Sequence, residues 1–109
     1  MMAIDRHILR ARTKTTVEVL WPYILALCKD EAVYAYEIRQ MIADRFKFEV
    51  GKVTAYMVLY KMESQGLVSA EWRQVENRQR KYYSITKVGR RSLEDAIDIF
   101  ESAANALKG

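Results

Sequence analysis

The chain has 109 residues, of which half are hydrophobic and 29% are charged, a composition that excludes a disordered protein. Its longest apolar run, residues 19–28, is far shorter than the ~20 residues that a membrane-spanning helix needs. The basic first residues are not followed by an apolar stretch in signal-peptide order. We therefore expect one compact domain in the cytoplasm, with no membrane partner.

The chain contains few residues that could carry out chemistry. A single cysteine, Cys28, cannot form an internal disulfide, and a single histidine, His7, leaves no metal cluster by the usual ligand counts. No serine or cysteine stands in an evident triad with histidine and an acid, so Cys28 is interpreted as a small buried hydrophobic residue. We expect no enzyme activity, no metal and no cofactor.

The net charge of +4 is unevenly distributed. Residues 1–16 carry four cations against one anion, and residues 71–91 carry seven against two, whereas residues 17–70 are close to neutral and residues 92–109 are acidic. Two basic zones that flank a neutral body predict a surface for a polyanion. The alternative is an ordinary solvated surface.

The first half of the chain predicts three helices. Residues 17–29 are expected to form a helix buried on most sides, with Pro22 either in its first turn or at a kink against an N-terminal helical arm. Residues 34–46 have apolar positions at helical spacing. The third helix, 51–65, is expected to stop at Gly66 in a left-handed conformation.

The spacing of apolar residues then changes to that of β-strands. Residues 67–75 and 81–85 alternate between apolar and polar side chains, which predicts a hairpin. A turn centred on Asn77–Arg78 would place Trp72 opposite Tyr83 and Ala70 opposite Ile85.

That register also places two residues of the outer face together. Arg73 would lie opposite Tyr82 and form a cation–π pair with it.

A final helix is predicted over 87–107, capped by Thr86. Its apolar residues are spaced 4, 3, 4 and 3 apart and form a narrow heptad seam over two heptads: Leu93, Ile97, Phe100, Ala104 and Leu107. Such a seam suits a partner helix, although the helix could instead pack on its own domain.

This order of elements predicts a mainly α structure with a small β-hairpin, namely a winged helix-turn-helix over 1–86 with a dimerisation helix over 87–109. The hairpin turn is then the wing. Arg78, Arg80 and Lys81 are expected at its tip, where they reach a phosphate backbone instead of a core.

The third helix is the predicted recognition helix. Ala55, Val58, Leu59 and Met62 share one face and are assigned to the core. The other side would enter the major groove of DNA and carries Lys52, Val53, Thr54, Tyr56, Met57, Tyr60 and Lys61. This side lacks the Arg, Asn or Gln that read bases in a bidentate way, so its specificity is either modest or derived from DNA shape.

Three stretches, "ILALCKDEAVYAYEI" (24–38), "TAYMVLYKMESQGLV" (54–68) and "RKYYSITKVGR" (80–90), carry a family pattern. With them the chain resembles the PadR-like winged-helix transcription regulators over about residues 17–95. Two departures are Ala35, where the family usually has Gly, and Ala55-Tyr56-Met57, which replaces a Leu-Tyr-Pro-like run. The resemblance implies a dimeric repressor, and in some members release from DNA by a small aromatic ligand at the dimer interface.

We therefore expect a sequence-specific regulator that binds double-stranded DNA as a homodimer and is associated with the nucleoid. One alternative is a weakly specific architectural protein that coats DNA, and another is a winged helix used for protein contacts. Trp21, Tyr23 and Phe100 form the candidate ligand pocket, although aromatic residues there could equally be plain core.

Overall fold

The computed structural model describes residues 5–109. Along the chain it contains helix α1 (Arg6–Thr15), helix α2 (Trp21–Leu27), strand β1 (Val33–Tyr34), helix α3 (Ile38–Phe46), helix α4 (Lys52–Ser64), strands β2 (Val68–Val75) and β3 (Arg78–Ile85), and helix α5 (Lys87–Lys108). None of these helices is both long enough and apolar enough to cross a membrane. The mainly helical winged-helix fold that the sequence predicts is confirmed.

The core lies between α2, α3, α4 and the sheet. Leu25, Ile42 and Leu59, one from each helix, are completely buried, and Tyr83 of β3 closes the cluster from the sheet side. Ala55, Leu59 and Met62 face this core from α4, as their helical spacing predicts, while Val58 is half-buried at its edge.

The region predicted as one helix over 17–29 is divided. Pro22 lies in the first turn of α2, where its missing N–H has no partner to lose, so the first-turn alternative is correct. A short 3₁₀ turn at Val17–Val19 separates α2 from the helical arm α1. The hydroxyl of Tyr23 donates a hydrogen bond of 2.5 Å to the carbonyl of Thr15, which ties the arm to the domain.

The predicted helix over 34–46 begins later than expected. Val33 and Tyr34 form a third strand that pairs with β3 opposite Tyr83 and Tyr82, in the strand order β1-β3-β2. Helix α3 begins at Ile38 after a single 3₁₀ turn. Helical periodicity cannot reveal this strand, because only two residues pair and their partner lies far along the chain.

The predicted hairpin register is wrong by two residues. The turn is centred on Glu76 and Asn77, whose φ angles of 50° and 63° are both positive, as a two-residue primed turn requires. Ala70 therefore lies opposite Tyr83, and Trp72 lies opposite Lys81. Because an even shift leaves every side chain on its original face, the predicted division into two faces survives the error.

Helix α5 begins where the predicted cap lies. Thr86 Oγ1 accepts a hydrogen bond from the backbone N–H of Gly89 at 2.9 Å and donates to the carbonyl of Gly66 at 2.6 Å. Gly66 has a φ of 75°, so the predicted left-handed end of the third helix is also confirmed. These contacts join the end of α4, the wing and the start of α5.

Candidate nucleic-acid interface

Helix α4 presents an uncovered face to solvent. Its exposed side chains are Lys52, Val53, Thr54, Met57, Tyr60 and Lys61, and Tyr56 is half-buried beside them. Val53 and Met57 are 72% and 66% exposed, and with Tyr60 they form an exposed apolar patch of the kind that marks an interaction surface. All seven residues predicted for the recognition face lie on this side of the helix.

The loop before α4 is braced by α3. Arg39 Nε donates a hydrogen bond of 2.9 Å to the carbonyl of Val50, one residue before the cap position Gly51. Gly51 has no side chain to cap the helix, so the first backbone N–H groups of α4 have no side-chain acceptor there. This hydrogen bond therefore connects α3 to the start of α4.

The outer face of the wing carries three arginines. Arg73 and Arg80 are direct cross-strand partners, and Arg78 follows the turn and is exposed. Like charges placed directly opposite each other repel. Arg73 is compensated by an ion pair with Glu71.

Both paired arginines also stack on tyrosines. The guanidinium of Arg73 lies 4.3 Å from the ring centroid of Tyr82, and that of Arg80 lies 4.9 Å from the centroid of Tyr34. The predicted pairing of Arg73 with Tyr82 is therefore confirmed, although the two residues are diagonal neighbours and not direct partners.

A chain of tyrosines connects this outer face with the recognition helix. Tyr34 stacks on Tyr82 with centroids 5.6 Å apart and meets Tyr36 edge-on at 5.4 Å. Tyr36 in turn meets Tyr56 of α4 edge-on at 6.1 Å. These edge-to-face and offset contacts are favourable geometries, so the wing and the recognition helix share one aromatic surface.

Lys81 does not lie at the wing tip, where the sequence places it. It lies in the stem of the hairpin on the face toward α4, and its Nζ atom is 3.1 Å from a carboxylate oxygen of Glu63. Burial disfavours the charged amine and acts to lower its pKa. Hydrogen bonds to Tyr83 and Glu63 outweigh this effect, so the pKa of Lys81 is raised. Arg78 is the exposed tip cation, since Arg80 is half-buried against Tyr34.

A hollow of about 330 Å³ separates the wing from α4. Its walls are mostly aromatic, and its lining comprises Tyr34, Ala35, Tyr36, Lys52, Tyr56, Tyr60, Trp72, Gln79, Lys81 and Tyr83. Trp72, predicted to lie on the apolar inner face, is on this face but remains 64% exposed. Trp72 is exposed because this part of the hairpin extends beyond the core.

The residues of the predicted dimer seam of α5 differ in how deeply they are buried. Leu93 is buried in the core of its own domain. Further along the helix, Ile97 is 44% exposed, Phe100 38% and Leu107 87%, and Ala104 is exposed as well. One end of the seam therefore packs internally, while the other is not covered by any part of residues 5–109.

The three residues of the candidate ligand pocket do not lie together. Tyr23 and Phe100 line one groove of about 280 Å³ between α2, α3 and α5, which Phe46 and Ile97 also line. Trp21 lines a different cavity, beside Val58 and Lys61 of α4. Residues 21 and 23 point to different sides of α2, because they are about 200° apart around the helix.

Residues 24–95 match the model of the PadR-like family of transcriptional regulators, a match that covers most of the chain and runs from the middle of α2 into the first part of α5. The chain belongs to the PadR-like family. As a member of a family of transcriptional regulators, it is a DNA-binding regulator. Among residues 5–109 there is also no group of three or more side chains that could hold a metal ion.

Two solved structures support the assignment, and a third protein is related in sequence. A PadR family regulator from Eggerthella lenta DSM 2243 is 25% identical, with a TM-score of 0.78 over 94% of this chain and 86% of its own. A PadR-like regulator from Bacillus cereus strain ATCC 14579 is 28% identical, with a TM-score of 0.70 over 91% and 98%. An uncharacterised protein of Lysinibacillus sphaericus is 32% identical over 77 residues, which are 68% of this chain and 71% of that one.

In this PadR-like chain, two members of the interface were missed from the sequence alone. Tyr34 and Tyr36 connect the wing to α4, yet they belong to a segment that was predicted as helix. The only sequence signal is the alternation of Tyr34 and Tyr36 around Ala35, which is typical of an extended segment.

Proposed function

We propose that this PadR-like regulator binds specific sites in double-stranded DNA as a homodimer and represses transcription by occupying them. The observation that supports this proposal is the exposed outward face of α4 beside a wing with an exposed tip arginine, Arg78. A helix of this kind inserts into the major groove, where Val53 and Met57 can contact thymine methyl groups and Thr54 can form hydrogen bonds.

The affinity is assigned to exposed cations that flank this face. Lys52 at the start of α4, Lys61 near its end and Arg78 at the wing tip are all exposed. Each can neutralise a phosphate and release counterions, and this is the sequence-independent part of DNA binding. Association with the nucleoid follows from the same contacts.

The dimer is assigned to residues 87–109. Ile97, Phe100 and Leu107 are apolar and exposed along one stripe of α5, and a domain of this size gains considerably from additional buried area. A two-fold axis through α5 would present two copies of α4 to successive major grooves about 34 Å apart. The preferred site is then an inverted repeat.

The groove beside Tyr23 and Phe100 is the proposed site for a small aromatic effector. It is apolar, it adjoins the exposed end of the α5 seam, and Lys29 and Arg45 supply cations at its edge. The test is titration of the DNA complex with small aromatic carboxylates. Release that is abolished in Arg45→Ala, with DNA binding retained, supports the site, and release that is unchanged in the variant places the effector elsewhere.

A second candidate function, an architectural protein that coats DNA, is favoured by one observation. The exposed face of α4 carries no Arg, Asn or Gln to read a base edge in a bidentate way. Such a protein would derive nearly all of its affinity from phosphate contacts and from DNA shape.

Selection from a pool of random duplexes separates the two functions. A regulator enriches one inverted repeat, with half-sites about one helical turn apart. A coating protein leaves the pool flat apart from a bias in A·T content. A flat pool would rule out the proposed regulator.

A further inference from the structure

Lys81 is surrounded on the inner face of the wing. Its Nζ atom lies 5.3 Å from the ring centroid of Tyr60, 5.8 Å from that of Trp72 and 5.2 Å from that of Tyr83. Glu63 of α4 completes the surroundings, with one carboxylate oxygen 3.1 Å from the amine. The same oxygen accepts from the hydroxyl of Tyr83 at 3.5 Å.

These contacts join two elements that hold few other polar contacts with each other. Glu63 and Tyr60 belong to α4, whereas Lys81, Trp72 and Tyr83 belong to the two strands of the wing. The side chain of Lys81 is only 20% exposed, which separates it from Arg73 and Glu71 of the outer face, at 47% and 57%. To reach a phosphate, Lys81 would have to leave both its carboxylate and its aromatic neighbours.

We propose that Lys81 is a positioning residue that fixes the wing to the recognition helix through Glu63 and the surrounding aromatic rings, and that it does not bind phosphate. The inference rests on the proposed function, since it assigns to Lys81 the task of setting how the wing lies relative to α4 on DNA. The distance between the tip cation Arg78 and the outward face of α4 then determines which phosphate the wing meets when α4 is correctly seated.

The two possible roles of Lys81 predict different effects on DNA binding when the charge of Glu63 is removed. If Lys81 bound phosphate, removing this nearby charge would strengthen binding to every duplex, because a carboxylate that repels the phosphate would be lost. If Lys81 positions the wing, removing Glu63 weakens discrimination between duplexes, because the wing is no longer held.

The test uses the full chain in four variants that are checked for folding by circular dichroism: Lys81→Met, Glu63→Gln, the double variant of these two, and the tip control Arg78→Ala. Affinities for the selected site and for random duplex are measured across a range of salt concentrations. Lys81→Met and Glu63→Gln are each expected to reduce the ratio of the two affinities about fivefold, and the double variant no further, because the residues act as one contact. The salt slope, which is the slope of the logarithm of affinity against the logarithm of salt concentration, should be the same in these variants as in the wild type. Arg78→Ala should weaken binding to both duplexes equally and reduce the salt slope by about two, because the dimer loses one phosphate contact in each subunit.

Hydrogen exchange of the β2 and β3 amides without DNA provides a readout that is independent of the proposed function. Exchange should accelerate in Lys81→Met and Glu63→Gln but not in Arg78→Ala. A salt slope on random duplex reduced by about two in Lys81→Met, one for each subunit of the dimer, or wing exchange unchanged in both variants, would overturn the inference. If no site is selected, the regulator proposal fails, while exchange and the slope on random duplex still decide the role of Lys81.

Discussion

At Gly89, helix α5 lies very close to the segment that contains Leu67 and to strand β3. A Cβ atom placed there would lie 2.1 Å from the carbonyl oxygen of Leu67 and 2.9 Å from a side-chain carbon of Ile85. Because the first of these atoms belongs to the backbone, neither a rotamer change nor a small shift can relieve the overlap. The position therefore requires glycine for reasons of space.

The substitution Gly89→Ala tests this requirement, because two effects predict opposite signs. Helix propensity alone would stabilise the chain by about 1 kcal/mol. The overlap with Leu67 predicts a loss of about 2 kcal/mol or more in the free energy of unfolding. Denaturant titration measures the difference between Gly89→Ala and the wild type. A stabilised Gly89→Ala would contradict the close approach.

We expect Cys28 to make the free energy of unfolding decrease at alkaline pH. The residue is 2% exposed, and burial raises the pKa of its thiol from 9.0 to about 11, against smaller opposing effects of a backbone hydrogen bond and Arg90. Since the folded pKa is raised, the folded chain keeps a proton that the unfolded chain releases. The stabilisation is complete below about pH 9 and is lost as the pH rises through about 11.

We expect the wild type to lose about 2 kcal/mol through this residue between about pH 8 and about pH 11, and Cys28→Ala to lack that part of the loss. Denaturant unfolding at the two pH values measures both proteins. Some loss will remain in the variant, because the pKa values of Lys81 and Tyr83 are raised as well. Identical pH dependence in the two proteins would show that Cys28 does not contribute.

At the scale of elements, the recognition helix is expected to read DNA weakly at each position. Val53→Ala and Thr54→Ala should each change the preference among related sites by about 1 kcal/mol or less, because no bidentate pair is lost. Competition binding with single-base variants of the selected site measures the change. Ser64→Ala, at the far end of α4, is the control and should alter no preference. Unchanged preferences in the first two variants would indicate that α4 does not read bases.

The elements also differ in how far the sequence could predict them. Helix α4 was predicted nearly to the residue, because its helical spacing, its outward polar face and Gly66 agree with one another. The hairpin register was not predicted correctly. It was predicted by matching the apolar faces of the two strands, and every register shift by an even number of residues matches these faces equally well. The turn itself decides the register through the positive φ angles of Glu76 and Asn77, and glutamate carries no strong signal for such a turn.

The tertiary placement of single side chains was the least predictable. A dense run of cations suggested that Lys81 is exposed, whereas Glu63, 18 residues earlier in the chain, pairs with it. Likewise, Trp21 and Tyr23 are neighbours in sequence but line different cavities. In both cases the outcome depends on which distant element packs against the residue, and local spacing does not contain that information.

For the whole molecule, the dimer is the central structural expectation. Phe100→Glu places a charge in the exposed part of the α5 seam and should shift the mass measured by light scattering from dimer to monomer. Ser102→Glu is the matched control, because it adds the same charge to the exposed opposite side of the helix. A variant Phe100→Glu that remains dimeric would move the interface away from α5.

The most direct test of the account is the ratio of two affinities of the wild-type chain. Its affinity is measured at one physiological salt concentration for the selected inverted repeat and for a duplex of the same composition in scrambled order. A regulator that reads sequence through α4 should bind the repeat at least about a hundredfold more tightly. Equal affinities for the two duplexes would contradict the account and indicate a protein that coats DNA.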